Sequence, residues 1–164
     1  AARQNGDMRL HLAIQTICAT GIRVSELAYI TVEAARRGRA DIALKGKLRT
    51  ILLPARLCRR LLKFAGKNKI AFGAIFLTKS GRPLSRTQIW AEMKCLCAKA
   101  GVAAEKVFPH NLRHLFARTF YESCRDVVKL ADILGHSSVE TTRLYLLTTG
   151  AEHLRQLERL RLLC

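Results

Sequence analysis

The chain counts 164 residues, 49% of them hydrophobic, and sets 29 Lys+Arg against 12 Asp+Glu for a formal net charge of +17. So apolar a composition excludes a disordered segment and suits one domain with a packed core. The basic excess points to a polyanion in the cytoplasm or nucleus, and its spread along the chain, rather than on one amphipathic helix, argues against a membrane-surface protein; the competing reading is a plain basic protein such as a ribosome-associated factor.

Helical patterning begins at once: Met8 to Ala19 carries Leu10, Ala13, Ile14, Ile17 and Cys18 at helical spacing. Thr20-Gly21 interrupts it, and a short helix is predicted around Val24 to Ile30. From Ala40 the period becomes two. Ile42 and Leu44 alternate, Lys45-Gly46-Lys47 turns the chain, Leu48 to Leu53 returns, and Pro54 stops the strand. A helix follows over Ala55 to Ala65, then a short strand over Ile75 to Thr78 before the Ser80-Gly81-Arg82-Pro83 turn. The remainder reads as helix. Ser85 caps Arg86 to Ala100, which Gly101 ends; Pro109 opens a helix over His110 to Ser123; Asp126 caps one that ends at Leu134-Gly135. Ser137-Ser138-Val139-Glu140 offers a capping box to a helix carrying Tyr145, and Leu154, Leu157 and Leu160 form an amphipathic stripe near the end. The expected class is mainly α with a small antiparallel β-sheet (α+β), one domain over 1–164. The six cysteines sit mostly among apolar neighbours, as reduced core cysteines do, and show no zinc-finger spacing.

Four stretches place polar residues where a core would not want them. In Gly21-Ile22-Arg23-Val24-Ser25-Glu26-Leu27, Arg23 stands at the mouth of a helix; a salt bridge to Glu26 would explain it equally well. The hairpin Lys45-Gly46-Lys47-Leu48-Arg49 can reach a DNA groove or a phosphate, or can simply keep an edge strand soluble. In His110-Asn111-Leu112-Arg113-His114, a spacing of three puts His110 and Arg113 on one face at a helix N-terminus, where backbone N–H groups favour an anion. His110 and His114 also have the spacing of a zinc pair, but Asn111 stands where a metalloprotease has its glutamate and no third ligand is evident. Last come Leu134-Gly135-His136-Ser137-Ser138 and Thr141-Thr142-Arg143-Leu144-Tyr145. A tyrosine on such a helix is ordinarily a core residue with its hydroxyl bonded.

Taken in order and spacing, an arginine near the start, a hairpin lysine, His-x-x-Arg, Leu-Gly-His, and a tyrosine nine residues beyond that histidine resemble the tyrosine recombinase, or phage integrase, family over nearly the whole chain. The resemblance implies the catalytic-domain fold of that DNA breaking-rejoining family and site-specific recombination through a 3′-phosphotyrosine intermediate. It makes Tyr145 the nucleophile, Arg23 and Arg113 the guanidinium clamp on the phosphate, and His110 and His136 the rest of its cage. The hairpin lysine becomes the general acid and Glu26 the acidic residue that orders the site. Planar guanidinium groups suit the charge spread over non-bridging phosphate oxygens. Neither metal nor nucleotide cofactor is implied, because cations neutralise the charge and the phosphotyrosine conserves the bond energy.

One departure is visible. Many relatives read Gly-Lys-Gly-x-Lys-x-Arg across the hairpin, and this chain is one residue shorter at the tip; anchoring on Gly46 selects Lys45, while a register slip selects Lys47. The partner implied is double-stranded DNA, with Lys47, Arg49, Arg82, Arg86 and Gln88 as contact candidates. A homo-oligomer on DNA would form through the C-terminal helix. No membrane role is expected, and the location implied is cytoplasmic, on a bacterial nucleoid. The abrupt helical start suggests the C-terminal part of a longer protein, without the N-terminal core-binding domain that relatives use to clamp DNA. Two rivals share these features: a type IB topoisomerase, and a non-catalytic basic DNA-binding module. The first is disfavoured by the compact Gly21–Leu27 box and the helix after Tyr145, the second by the recurrence of family residues at family spacing.

Overall fold

The computed structural model describes residues 2, 6–44 and 47–143. Lys45, Gly46, Tyr145 and the Leu154/Leu157/Leu160 stripe lie outside the described residues.

Helix α1 (Met8–Thr20) starts where the Asp7 side chain accepts the Leu10 N–H and ends at Gly21, which is left-handed with φ 65°. A 3₁₀ turn (Val24–Tyr29) follows, then helix α2 (Val32–Arg37), capped by the Thr31 hydroxyl and stopped by Gly38. Strands β1 (Arg39–Leu44) and β2 (Lys47–Leu52) pair antiparallel in a register from Arg39↔Leu52 to Leu44↔Lys47. Ala40, Ile42 and Ile51 face the core, while Leu48 and Leu52 face out. Helix α3 (Ala55–Lys67) buries Leu57, Cys58, Leu61 and Ala65. Helix α4 (Arg86–Ala100) opens on a reciprocal cap, the Ser85 hydroxyl accepting the Gln88 N–H while the Gln88 side-chain Oε1 accepts the Ser85 N–H. A short 3₁₀ turn (Ala104–Lys106) leads to α5 (Pro109–Cys124), α6 (Val127–Leu134) and α7 (Val139–Arg143).

Three expectations change. Residues 75–78 form no strand; isolated bridges Thr31↔Ala74 and Leu77↔Pro83 flank a segment in which successive side chains, Ile75 and Phe76, are both buried. The box before α7 is partial: Ser138, not Ser137, accepts the Glu140 N–H, and the Glu140 carboxylate turns to Arg143. Among the described cysteines Cys58 and Cys97 are buried, whereas Cys95 and Cys124 are exposed.

Helix α1 packs against α3 and α5, and α2 against α3 and β1, around a main core from α1 to α4. A smaller core of Ala117, Leu130 and Leu134, with Phe116 and Phe120 against it, joins α5 to α6. Between these two cores lies a fully buried arginine, Arg113. Among the described residues no helix is long and apolar enough to cross a membrane.

Candidate functional site

A buried guanidinium persists only where its donors are met, so the surroundings of Arg113 reveal what the fold is organised around. Its Nη1 donates to the Gly21 carbonyl at 2.6 Å and its Nη2 to the Leu134 carbonyl at 2.7 Å. These carbonyls end α1 and α6, where no intrahelical donor remains and the helix dipole is negative. Two helix C-termini thus clamp one cation. Nη2 also meets His136 Nε2 at 3.0 Å.

Both glycines at these ends are needed for space as well as for backbone. A Cβ at Gly21 would strike the Phe116 ring, and one at Gly135, φ 66°, would strike the Arg49 side chain. Arg49 sits there because Arg49 and Ile51 lie on the same face of β2, with buried Ile42 opposite Arg49. Its Nη1 donates to the same Leu134 carbonyl, and its Nη2 pairs with Glu26 Oε2 at 3.0 Å. Glu26 is buried and fully used: Oε2 also accepts the Arg23 N–H at 2.7 Å, and Oε1 accepts Arg23 Nη1 at 3.1 Å. The salt bridge Arg23–Glu26 is therefore real, yet it leaves the Arg23 side chain 45% exposed and directed to an open cleft.

That cleft, about 410 Å³, is lined by Arg23, His110 and Arg113 together with Arg86 and Trp90. Burial first, then the Arg113 and Arg23 guanidiniums, hold His110 below the ordinary imidazole value. The same causes in the same order, joined by Arg49, push His136 down to about 4. Both rings are therefore neutral bases at pH 7 in a strongly cationic site built to attract an anion. The His110 and His114 rings meet edge to face at 4.7 Å, and among the described residues no three His, Cys, Asp or Glu side chains come together as a metal site would require.

The fold thus brings Arg23, Glu26, His110, Arg113 and His136 into one place from segments far apart in the chain. Arg49, expected among the DNA contacts, joins them from inside. Arg86 lines the cleft, Arg82 is exposed on the preceding turn, and the Gln88 side chain is used in capping α4. Lys47 opens β2, beside Lys45 in sequence. Sequence reasoning passed over Trp90, the sole tryptophan, which stacks on Phe108 at 6.1 Å with Lys94 Nζ 5.4 Å and 4.9 Å from the two ring centroids. Both aromatics are over 40% exposed on the rim of the cleft, a stacking and cation–π platform whose only sequence signal is a lone tryptophan on a helix that also carries Arg86 and Lys94. It passed over Thr142 as well, a fully buried hydroxyl bonded to His136.

The family model described as "Phage integrase family" matches residues 1–151. The tyrosine recombinase XerD of Brucella suis is 35% identical over 150 residues, covering 84% of this chain and 48% of the relative. The tyrosine recombinase XerA of Pyrococcus furiosus is 32% identical over 164 residues, covering 95% and 56%. The chain spans about half the length of the curated relatives it matches. Among solved structures, XerA recombinase superposes with a TM-score of 0.78 at 24% identity, over 98% of this chain and 59% of that one, a likeness of fold. XerH site-specific recombinase bound to difH substrate in a pre-cleavage complex gives 0.73 at 25% identity, over 94% and 45%.

Proposed function

This chain belongs to the phage integrase family, and from that premise we propose that it cleaves and rejoins double-stranded DNA, site-specifically, through a 3′-phosphotyrosine intermediate on Tyr145. One observation supports this reading above the rest: Arg23, His110 and Arg113 open on a single cleft, with His136 and Glu26 holding two of those cations in place. A phosphate seated there would meet both guanidiniums. The Tyr145 oxygen attacks phosphorus and the bond to the 5′ oxygen breaks; Lys45 gives that oxygen a proton, with Lys47 the alternative donor. The phenol proton needs an acceptor, and His110 is a neutral ring at the cleft. Religation reverses these steps, so neither metal nor nucleotide is called for. Arg86, Arg82 and the Trp90–Phe108 platform extend the surface along the duplex, with Lys47 on the hairpin.

The 164 residues act as a catalytic domain working with an N-terminal clamp in the longer protein, copies associate on DNA through the Leu154/Leu157/Leu160 stripe, and the DNA is that of a bacterial nucleoid in the cytoplasm. The test is a pool of duplexes nicked beside candidate scissile phosphates, so that a short fragment diffuses away after cleavage. The expected product is an oligonucleotide covalently attached at Tyr145, absent from Tyr145→Phe. An adduct on a different residue sinks the assignment, and relaxation of supercoiled plasmid without strand transfer moves the chain to the topoisomerase reading.

A further inference from the structure

We propose that the exposed face of α3 is a second DNA-binding surface, one that takes the phosphate backbone of a duplex other than the one in the cleft. Arg56, Arg59, Arg60, Lys63 and Lys67 are all exposed. At steps of three, four, seven and eleven residues from Arg56 they form one stripe, within about 100° of the helix circumference. The opposite side, Leu57, Cys58, Leu61 and Ala65, is buried. A merely solvated helix face mixes charges of both signs, whereas α3 carries no acidic residue. None of the ion pairs among the described residues involves these five cations.

The stripe costs the helix stability. Arg56–Arg60, Arg59–Lys63 and Lys63–Lys67 set like charges one turn apart, and Arg56 stands in the first turn, where the helix dipole disfavours a cation. A polyanion lying along the stripe turns those repulsions to use. The cations run over about 16 Å of helix, the axial length of about five phosphates of one strand. A membrane surface does not fit, because the apolar face of α3 lies in the main core and leaves no anchor.

This surface is separate from the cleft. Helix α1 packs against both α3 and α5, and it is α5 that carries His110 and Arg113. Between α1 and α3 runs a groove of about 320 Å³ lined by His11, Gln15, Arg60, Lys63 and Lys67, and it shares no residue with the cleft. Arg60 Nη1 donates to Gln15 Oε1 across it at 2.8 Å. Cations on such a stripe meet phosphates and not base edges, so binding there is independent of sequence and steep in salt. One chain then holds two duplexes at once, as strand exchange requires. That consequence rests on the recombinase reading; the binding itself does not.

The test is bridging. The full chain is loaded on a biotinylated duplex fixed to beads, and capture of a second, fluorescent duplex of unrelated sequence is followed as salt is raised. The wild-type chain is expected to capture it with a log–log salt slope of about −3 to −5. A variant combining Arg56→Gln, Arg59→Gln, Lys63→Gln and Lys67→Gln leaves the Arg60–Gln15 bond in place. It is expected to load on the beads as before but to capture the second duplex at least about tenfold less at one fixed salt. Lys63→Glu, a single exposed change, is expected to lower capture severalfold. No capture by the wild-type chain overturns the proposal. Undiminished capture by both variants overturns it too, and assigns the bridging to paired copies of the chain. Tighter capture of duplex RNA or of polyglutamate than of duplex DNA overturns it in favour of a partner of that class. Bridging that depends on the stripe, with no covalent adduct at Tyr145, supports the second surface while counting against the recombinase reading.

Discussion

Gly135 shows how one residue answers two demands. Its φ of 66° is a conformation side chains adopt at a cost of roughly 1–2 kcal/mol, and the volume its missing Cβ leaves is occupied by the Arg49 side chain. Gly135→Ala is therefore expected to destabilise the fold by more than the backbone cost alone, roughly 2–4 kcal/mol, since Arg49 must also leave the Leu134 carbonyl and Glu26. Urea unfolding checks this through a lowered midpoint at unchanged slope; a shift below about 1 kcal/mol would show that Arg49 relaxes without loss. The glycine was visible in the sequence as a helix stop, but its second task was not, because Arg49 lies 86 positions away (135 against 49). The inward aim of Arg49 was legible in part. It alternates with Ile51, and period two places both on one face.

At the scale of elements, the helices that the sequence reads best are those with apolar repeats long enough to show a period, opened by a side-chain cap (α1, α4, α6) or by a proline (α3, α5). Helices α1, α3, α4, α5 and α6 agree with expectation to within a residue or two at each end. Helix α2 was missed because six residues make less than two turns, leaving only Thr31 and Gly38 as signals. Two termini depart from the usual choice: Lys69, one residue past the C-cap of α3, is left-handed at φ 56°, and α5 ends on Arg125, left-handed at φ 53°, where a glycine ordinarily stands. Its guanidinium lies 5.5 Å from the Tyr121 ring, an exposed contact worth about 0.5–1 kcal/mol. Relief of the backbone cost exceeds that, so Arg125→Gly is expected to raise stability by about 0.5–1 kcal/mol, read as a thermal midpoint higher by about 1–4 °C. A lower midpoint would mean the cation–ring contact outweighs the backbone.

For the whole molecule, the clustering of cations sets how stability depends on pH. Burial and then Arg113 push His136 down to about 4, and His110 and His114 are also lowered, burial again the first cause. In the unfolded chain these rings take up protons near the ordinary value of about 6.5. Between about pH 6.5 and 4 the unfolded state consequently binds more protons, and stability falls as pH falls through that window. The thermal midpoint is expected to be level above about pH 7 and to decline toward pH 4.5, with a shallower slope in His136→Gln. An unchanged slope in that variant would remove His136 as the principal source.

The family, the helical class, the hairpin and the candidates Arg23, Glu26, His110, Arg113 and His136 were legible in the sequence alone, because each rests on local information: a cap, a period, or a short motif at fixed spacing. What only the tertiary structure decided is how those residues hold one another. That Arg113 is clamped by the carbonyl ends of α1 and α6, that Glu26 is shared by Arg23 and Arg49, and that Thr142 meets His136 are contacts between groups brought together by packing. The reason is physical. A buried charge is stable only when its desolvation is offset by specific partners, and no pattern along the chain says which distant carbonyl or hydroxyl those partners will be.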